Sequence, residues 1–501
     1  MIMDYSRFKS GSDIRGYALG DESNPLYMSD EMVMRCTAAF VDFAREKLGK
    51  SELTVSVGHD SRLSADRISG AVKLALTGKG VSVIDCGLCS TPAMFMTTVK
   101  AGCDAAVQIT ASHHPKDRNG LKFFTPEGGL DGEDIVLILK NAAESDIPVR
   151  GDGNCTARDF MAEYAAMLRE MIIEGTGAGE KPLAGLKIIV DAGNGVGGFY
   201  AKDVLAPLGA DTEGSLYLDP DGNFPNHAPN PENAEAMQCI TDATVKTCAD
   251  MGVIFDTDVD RSAVVGKGGF AINRNRLVAL AAKTALEDCP GGTIVTDSVT
   301  SDGLAEFIKE NGGVHLRFKR GYRNVINKQL ELCSEGIKCP LAIETSGHAA
   351  FADNYFLDDG AYLVTKLIIK AASLAKEGGS LEKLISALKE PVEEKELRFR
   401  ILCDDFRPEG EKIIELFKAE AESNPNLEPS PDNYEGIRIN SKEGDGWFLL
   451  RLSVHDPIIV LNSESNTPGG VMKMCRTVLD IIKTAENISL LDISTLEEYV
   501  K

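Results

Sequence analysis

The stretch QITASHHPKDRNGLKFF (108–124) sets three groups able to carry a phosphoryl or acyl group side by side, Ser112, His113 and His114. A serine hydroxyl is a weak nucleophile until a base, a metal or a charged neighbour assists it. Lys122 and Arg118, on the same stretch, supply cations of the kind that bind phosphate. The plainer alternative is a hydroxyl-stabilised turn at a strand end. From these letters alone the carrier stays open.

A second loop, Asp256-Thr257-Asp258-Val259-Asp260-Arg261, places three carboxylates at alternate positions. On an extended segment these would share one side and repel, so a cation is the natural complement. All-oxygen ligation suits Mg²⁺. The same letters after an apolar run also resemble the nucleophile loop of haloacid-dehalogenase-like phosphatases, with Asp358 and Asp359 as a second acidic pair. The mid-chain position of the loop counts against that reading, and it leaves Ser112 unexplained.

Glu344-Thr345-Ser346-Gly347-His348 pairs a carboxylate with a hydroxyl two residues on, a spacing suited to sugar hydroxyls. Arg451-Leu452-Ser453-Val454-His455-Asp456-Pro457 follows the apolar run GWFLL and offers a phosphate cradle. Two motifs carry less. Gly193, Gly195 and Gly198 spell GxGxxG, but no clean acidic strand end lies ~20 residues beyond, as a dinucleotide site needs. Cys86 and Cys89 form a CxxC without the second pair of a zinc site.

The elements that must hold these loops recur as three ordered triplets of apolar runs. The first is 53–62, 81–92 and 105–115; the second 186–195, 211–220 and 251–261; the third 293–301, 314–325 and 341–351. Each run reads as a strand rich in Val and Ile, and helical stretches such as 64–80 and 301–313 intervene. That alternation predicts α/β domains with mixed, largely parallel sheets, whose sites gather beyond the carboxyl ends of strands. Three such loops could then face one cleft. The turn-rich stretch 146–183 reads as a linker, and beyond about residue 390 the pattern becomes a smaller α+β domain. The 501 residues suit three or four domains, and 43% apolar with 26% charged residues is ordinary globular composition. A net charge of −23 argues against nucleic acid or an anionic membrane as partner. It leaves room for a small anion in a local basic pocket. No apolar stretch is long enough to span a bilayer, no secretory signal opens the chain, and twelve scattered cysteines read as reduced cytoplasmic thiols.

Taken in order, the four loops resemble the α-D-phosphohexomutase family. TASHHPKDRNGLK (110–122) is similar to its phosphoserine loop, DTDVDR (256–261) to its metal loop, ETSGH (344–348) to its sugar loop and RLSVHDP (451–457) to its phosphate loop. GSDIRG (11–16), GHDSR (58–62) and FPNHAPNPE (224–232) match as well. The resemblance covers essentially the whole chain and implies three similar α/β domains, 1–150, 151–268 and 269–390, with an α+β domain, 391–501, around a central cleft. It implies that Ser112 is the phosphoserine and that Ser112, Asp256, Asp258 and Asp260 hold one Mg²⁺. Arg15, Lys122 and Arg261 would surround the transferring group, with His113 in support. Glu344, Ser346 and His348 would meet the sugar, and Lys319, Arg320, Tyr322 and Arg323 would choose it. Arg451, Ser453 and His455 would hold the distal phosphate. The implied reaction moves a phosphoryl group between the 1- and 6-positions of glucose or mannose phosphate through a 1,6-bisphosphate, in a cytoplasmic monomer or homodimer. Phosphoglucosamine or another phosphosugar is the alternative substrate; an Asp-nucleophile phosphatase and a silent phosphosugar-binding relative are the alternative classes. The departures fall at Leu452, Val454, His455 and Asp456, at Ile343, and at Thr257 and Val259, where the family commonly has glycine.

Overall fold

The run Ala105–Ile109 is buried along its whole length, because it is a central strand of a sheet covered on both faces. In the computed structural model, residues 4–20, 23–147, 153–403, 405–453 and 456–501 are described. They form two compact units, Met1–Ala285 with Ser346–Ser386, and Leu286–Thr345 with Ala387–Lys501. None of the described helices is long and apolar enough to cross a membrane.

In the first unit the leading sheet runs Lys9–Ser10, Asp13–Tyr17, Arg118–Thr125, Ala105–Ile109, Thr54–His59, Ser82–Leu88, Cys155–Ala157. Thr54–His59 pairs in parallel with both Ala105–Ile109 and Ser82–Leu88, so three strand ends open on the same edge. Helices Asp30–Leu48, Ala65–Gly78 and Gly132–Ala142 bury their apolar stripes in the core beneath it, where the Phe40 ring stacks on Phe123 at 4.2 Å. The second sheet sets Ile188–Asp191 parallel to Met251–Phe255, with Ser262–Gly266 and Phe270–Ile272 returning antiparallel. The run 211–220 is not a strand. It contributes single bridges at Asp211 and Leu216, since its few apolar residues cannot fill a buried position at every step.

The expected linker 146–183 also holds more than turns. Its Cys155–Ala157 segment adds a parallel strand to Ser82–Leu88, and Phe160–Thr176 is a helix capped by Asp159 and ended by Gly177 in the left-handed region. Phe160, Tyr164, Leu168 and Ile172, spaced four apart, bury one stripe of it. The turn residues mark only its flanks.

In the second unit Thr293–Thr296 lies between parallel neighbours Val314–Arg317 and Leu341–Ile343. The antiparallel sheet of the C-terminal part runs Leu427–Pro429, Ile437–Ser441, Gly446–Leu452, Ile458–Ser465, Glu393–Ile401, Leu491–Asp492. Helices Phe406–Ser423 and Gly470–Ile482 share its core.

Candidate functional site

After Ala105–Ile109 the chain turns at Ser112, which adopts φ +51°. A left-handed serine costs about 1 kcal/mol or more and persists only where its surroundings impose it. Arg62 imposes it. Its Nη2 donates to the carbonyls of Ser112 (2.5 Å) and His114 (2.6 Å), and its Nη1 to those of Pro115 (2.7 Å) and Arg118 (2.9 Å). Its Nε donates to Asp60 at 3.1 Å, and neither side chain of that pair is exposed. Asp60 Oδ2 also accepts from the Thr110 hydroxyl, whose oxygen in turn accepts from the Ser112 amide at 2.9 Å. The hydroxyl-stabilised turn is thus present beneath the candidate nucleophile. Arg62 is the last residue of the GHDSR motif (58–62); its role leaves no mark in the sequence, because the carbonyls it binds lie 50 residues and more downstream.

The Asp loop is a tight turn, not an extended segment. Val259 sits at φ +69°, a conformation that branched residues rarely adopt and glycine adopts freely. The turn brings one oxygen each of Asp256, Asp258 and Asp260 within 4.8 Å of one another, all buried. Arg261 donates to Asp256 Oδ2 through Nε (3.0 Å) and Nη2 (2.9 Å). The Ser112 hydroxyl donates to the same oxygen at 3.0 Å, and Arg261 Nη2 reaches Ser112 Oγ at 3.1 Å. Lys122 Nζ binds Asp260 and lies 3.3 Å from Asp258 Oδ2. Thr91, in the first turn of helix Thr91–Lys100, donates from its hydroxyl and its amide to Asp258. Burial pushes the Asp256 carboxyl well up, with Asp260 adding to the effect. Burial acts the same way on Asp260, but Lys122 and His348 outweigh it and hold that carboxyl low. Asp258 Oδ1 and Asp260 Oδ1 are buried without a hydrogen-bond partner among the described residues. Two orphaned carboxylate oxygens beside a third carboxylate are a donor set that fits a hard divalent cation.

His348 belongs to this cluster. Its Nδ1 lies 2.6 Å from Asp358, and the pair stands beside Asp260. Burial opposes charging of the imidazole, yet Asp358 and Asp260 raise it to about 9. Asp359 is engaged elsewhere, accepting from the Tyr164 hydroxyl and capping helix Gly360–Lys376. Gly347 stands at φ +97°, where a Cβ would lie 2.4 Å from the Ser262 carbonyl, so the chain can pass only as glycine. The Ser346 hydroxyl is buried without a hydrogen-bond partner among the described residues. His113 and His114 stack at 5.1 Å, and His113 Nδ1 is 3.3 Å from Ser112 Oγ. The Arg261 cation, then burial, lowers His113 far below the histidine range; burial, then Arg15, lowers His114 to about 3. Both rings are therefore neutral near pH 7. Arg15 Nη2 binds Asp13 at 2.7 Å and its Nη1 points at the Ala111 carbonyl, 3.5 Å away.

The remaining candidates lie in the second unit. Glu344 accepts from the Gly321 amide at 2.6 Å, which ties it to the loop carrying Lys319, Arg320, Tyr322 and Arg323. Lys319 is exposed, while Arg320, Tyr322 and Arg323 are partly covered. Arg451 ends the strand Gly446–Leu452, mostly buried, 3.8 Å from Glu435. Ser453 Oγ accepts from the Asp456 amide at 3.3 Å. Val454 and His455 lie outside the described residues. Of the weaker motifs, the glycines of GxGxxG close the chain on itself: a Cβ at Gly195 would lie 2.5 Å from the Thr257 carbonyl, and one at Gly198 2.0 Å from that of Leu218. Cys86 and Cys89 are free and buried, and neither joins a metal-capable group among the described residues.

Comparison with known proteins identifies the family. Three family models match, the phosphoglucomutase/phosphomannomutase alpha/beta/alpha domains I, II and III, over residues 7–150, 162–269 and 273–392. A phosphomannomutase/phosphoglucomutase of Pseudomonas syringae is 30% identical over 84% of this chain and 85% of its own. A probable phosphoglucosamine mutase of Methanopyrus kandleri is 29% identical over 91% of this chain and 95% of its own. The crystal structure of a phosphoglucomutase/phosphomannomutase family protein from Burkholderia thailandensis superposes with a TM-score of 0.80 at 29% identity, covering 96% of this chain and 98% of that one.

Proposed function

We propose a mechanism for a chain that belongs to the α-D-phosphohexomutase family and is a phosphotransferase of the mutase type: Ser112 is its phosphoryl carrier, and a hexose monophosphate of the glucose or mannose series is its substrate. The observation that carries this reading is the convergence on Ser112 Oγ of Asp256 at 3.0 Å and Arg261 at 3.1 Å, beside two carboxylate oxygens that have no hydrogen-bond partner among the described residues.

Phosphorylated Ser112 gives its phosphoryl group to a sugar hydroxyl; the phosphorus–serine oxygen bond breaks as the phosphorus–sugar oxygen bond forms. The resulting 1,6-bisphosphate returns its other phosphoryl group to Ser112. Such transfer needs in-line positioning and charge neutralisation more than a strong base. Arg62 fixes the serine backbone, so the hydroxyl is held in place while the phosphoryl group moves. Arg261 and Lys122 bring positive charge to the transferring oxygens, and Arg15 guards the same edge of the loop. His113, neutral and beside Oγ, supports by hydrogen bonding. A Mg²⁺ held by Asp256, Asp258, Asp260 and Ser112 would neutralise phosphoryl charge and favour the serine oxygen as leaving group and nucleophile. Glu344, Ser346 and His348 serve the sugar hydroxyls, the 319–323 loop selects the sugar, and Arg451 and Ser453 take the distal phosphate. The twelve cysteines are all free, which supports a reducing, cytoplasmic setting.

The test is a panel of glucose 1-phosphate, mannose 1-phosphate and glucosamine 1-phosphate with Mg²⁺ and a trace of bisphosphate. Isomerisation of a glucose or mannose phosphate is expected. Absence of isomerisation across the panel sinks the reading. Hydroxylamine-stable labelling, lost in Ser112→Ala, separates it from an aspartyl-phosphate phosphatase, whose acyl phosphate hydroxylamine would cleave.

A further inference from the structure

We propose that Glu435 is a positioning residue that sets the distal-phosphate arginine in register with the sugar-selecting loop, an inference that rests on the reading of Arg451 given above. Glu435 stands in the turn before strand Ile437–Ser441, with 13% of its side chain exposed. Its Oε2 accepts from the Ser298 hydroxyl at 2.7 Å and from the Arg320 amide at 3.0 Å. Its Oε1 faces Arg451 Nη1 at 3.8 Å. One carboxylate therefore touches the strand end after Thr293–Thr296, the backbone of the selecting loop and the guanidinium at the end of Gly446–Leu452.

A guanidinium only 10% exposed needs a counter-charge close by. At 3.8 Å Glu435 supplies the charge without a hydrogen bond, so the donors of Arg451 stay available for a phosphate. The Arg451 Nε, buried and without a partner among the described residues, is one of them. Burial pulls this guanidinium below the ordinary arginine range, and Glu435 is the foremost charge holding it up. The other oxygen of Glu435 is fixed by two donors, so the carboxylate cannot swing to cap Arg451 without breaking both bonds. Arg320 is followed by Gly321, whose amide goes to Glu344. A continuous chain, Glu344 to Gly321–Arg320 to Glu435 to Arg451, then fixes the spacing between sugar recognition and phosphate recognition. The phosphate-loop departures at Leu452 and Asp456 leave this chain intact.

The experiment is a double-mutant cycle on the full-length enzyme, read as KM and kcat for the sugar phosphate that the panel identifies. Arg451→Ala alone should raise KM at least tenfold; an unchanged KM overturns both the reading of Arg451 and this proposal. Glu435→Gln, which keeps an acceptor for Ser298 and Arg320 but removes the charge facing Arg451, should raise KM five- to tenfold with kcat within twofold. In the Arg451→Ala background it should change KM less than twofold, because the residue it acts through is gone. Multiplicative effects, or a Glu435→Gln KM equal to wild type, overturn the proposal. Emission of the single tryptophan, Trp447, which stacks 3.5 Å from the Arg438 guanidinium in the same sheet, reports whether the variants fold. Should Glu435→Gln fail to fold, Ser298→Ala removes one of the two bonds that fix the carboxylate. It should raise KM two- to threefold, and an unchanged KM there is equally fatal.

Discussion

The Ser112–Asp256 region of the first unit and the Arg320–Arg451 region of the second are both built for anionic groups, and they hold their charges in opposite ways. Around Ser112 the cations are already bound: Arg62 to four carbonyls and Asp60, Arg261 to Asp256, Lys122 to Asp260. Those residues are all buried, and Ser112 and Val259 in the same loops sit in left-handed backbone that only dense surroundings sustain. Around Arg451 there is one long ion pair, and Arg320 and Lys319 keep surface exposure. The difference teaches where preorganisation is needed. Charge developing in a transfer step is stabilised by dipoles fixed in advance, whereas recognition of a ground-state phosphate tolerates groups that settle on binding.

The strongest way to break the comparison is Ser112→Ala. It leaves Asp256, Arg261 and Arg62 in place but removes the carrier, so kcat should fall by more than about 1,000-fold with KM little changed. Steady-state rates on the active sugar phosphate check this, and a residual rate within about tenfold of wild type would move the chemistry away from Ser112.

Next is Lys122→Met, which removes the cation nearest two buried carboxylates. In EDTA the variant should lose about 3–5 kcal/mol of stability, since buried charges left unpaired are costly. Mg²⁺ should restore much of that loss by standing in for the ammonium, as seen in paired thermal melts. The counterpart in the second unit, Arg451→Ala, which leaves the mostly buried Glu435 carboxylate its two donors but not its facing cation, should cost about 2 kcal/mol and show no response to Mg²⁺. Equal losses at the two sites would erase the distinction.

Arg62→Lys is a finer probe of how the closed region works. A lysine reaches one or two of the carbonyls but cannot span all four. The Ser112 backbone should relax, lowering kcat about 10- to 50-fold while KM stays within about twofold. A rise in KM without a fall in kcat would mean that the arginine serves binding rather than the serine's position.

These residues also show what the sequence discloses. The strands were legible because Ala105–Ile109, Met251–Phe255 and Thr293–Thr296 are buried on both faces and read as unbroken apolar runs. The helix Phe160–Thr176 was hidden by turn residues on both flanks. The three aspartates were legible as a group but not as a turn, because nothing in Asp-Thr-Asp-Val-Asp requires Val259 to take φ +69°. Arg62 was legible only as the last letter of GHDSR (58–62), without its role, and Glu435 not at all, for one reason: each acts on backbone groups or on another residue's charge, far away in sequence. A side chain that binds carbonyls 50 residues on leaves no periodicity and no spacing to read.

The last effect is that of pH on Glu464, in the sheet that carries Arg451. Its carboxyl is buried and accepts from Trp447 Nε1 at 3.0 Å. Burial raises it from an ordinary 4.5 to about 7, with Arg438 opposing. A carboxyl raised on folding binds its proton more tightly in the native state, so the native state is favoured below about pH 4.5. That advantage is lost as pH climbs through about 7. The loss should amount to about 3 kcal/mol between those limits and be visible in melts followed by Trp447 emission. Glu464→Gln carries the neutral form at every pH and should flatten that part of the profile. The same scan also passes through Asp359 of the first unit, whose carboxyl burial raises to about 6, so Glu464 carries only part of the slope, while the histidines of the Ser112 region add nothing to it. His113 and His114 are already neutral there, and His348 loses its proton only near pH 9. If the slope between pH 4.5 and 7 is undiminished in Glu464→Gln, Glu464 is not the titrating group, and the buried carboxyls of the first unit, Asp359 among them, carry the whole of it.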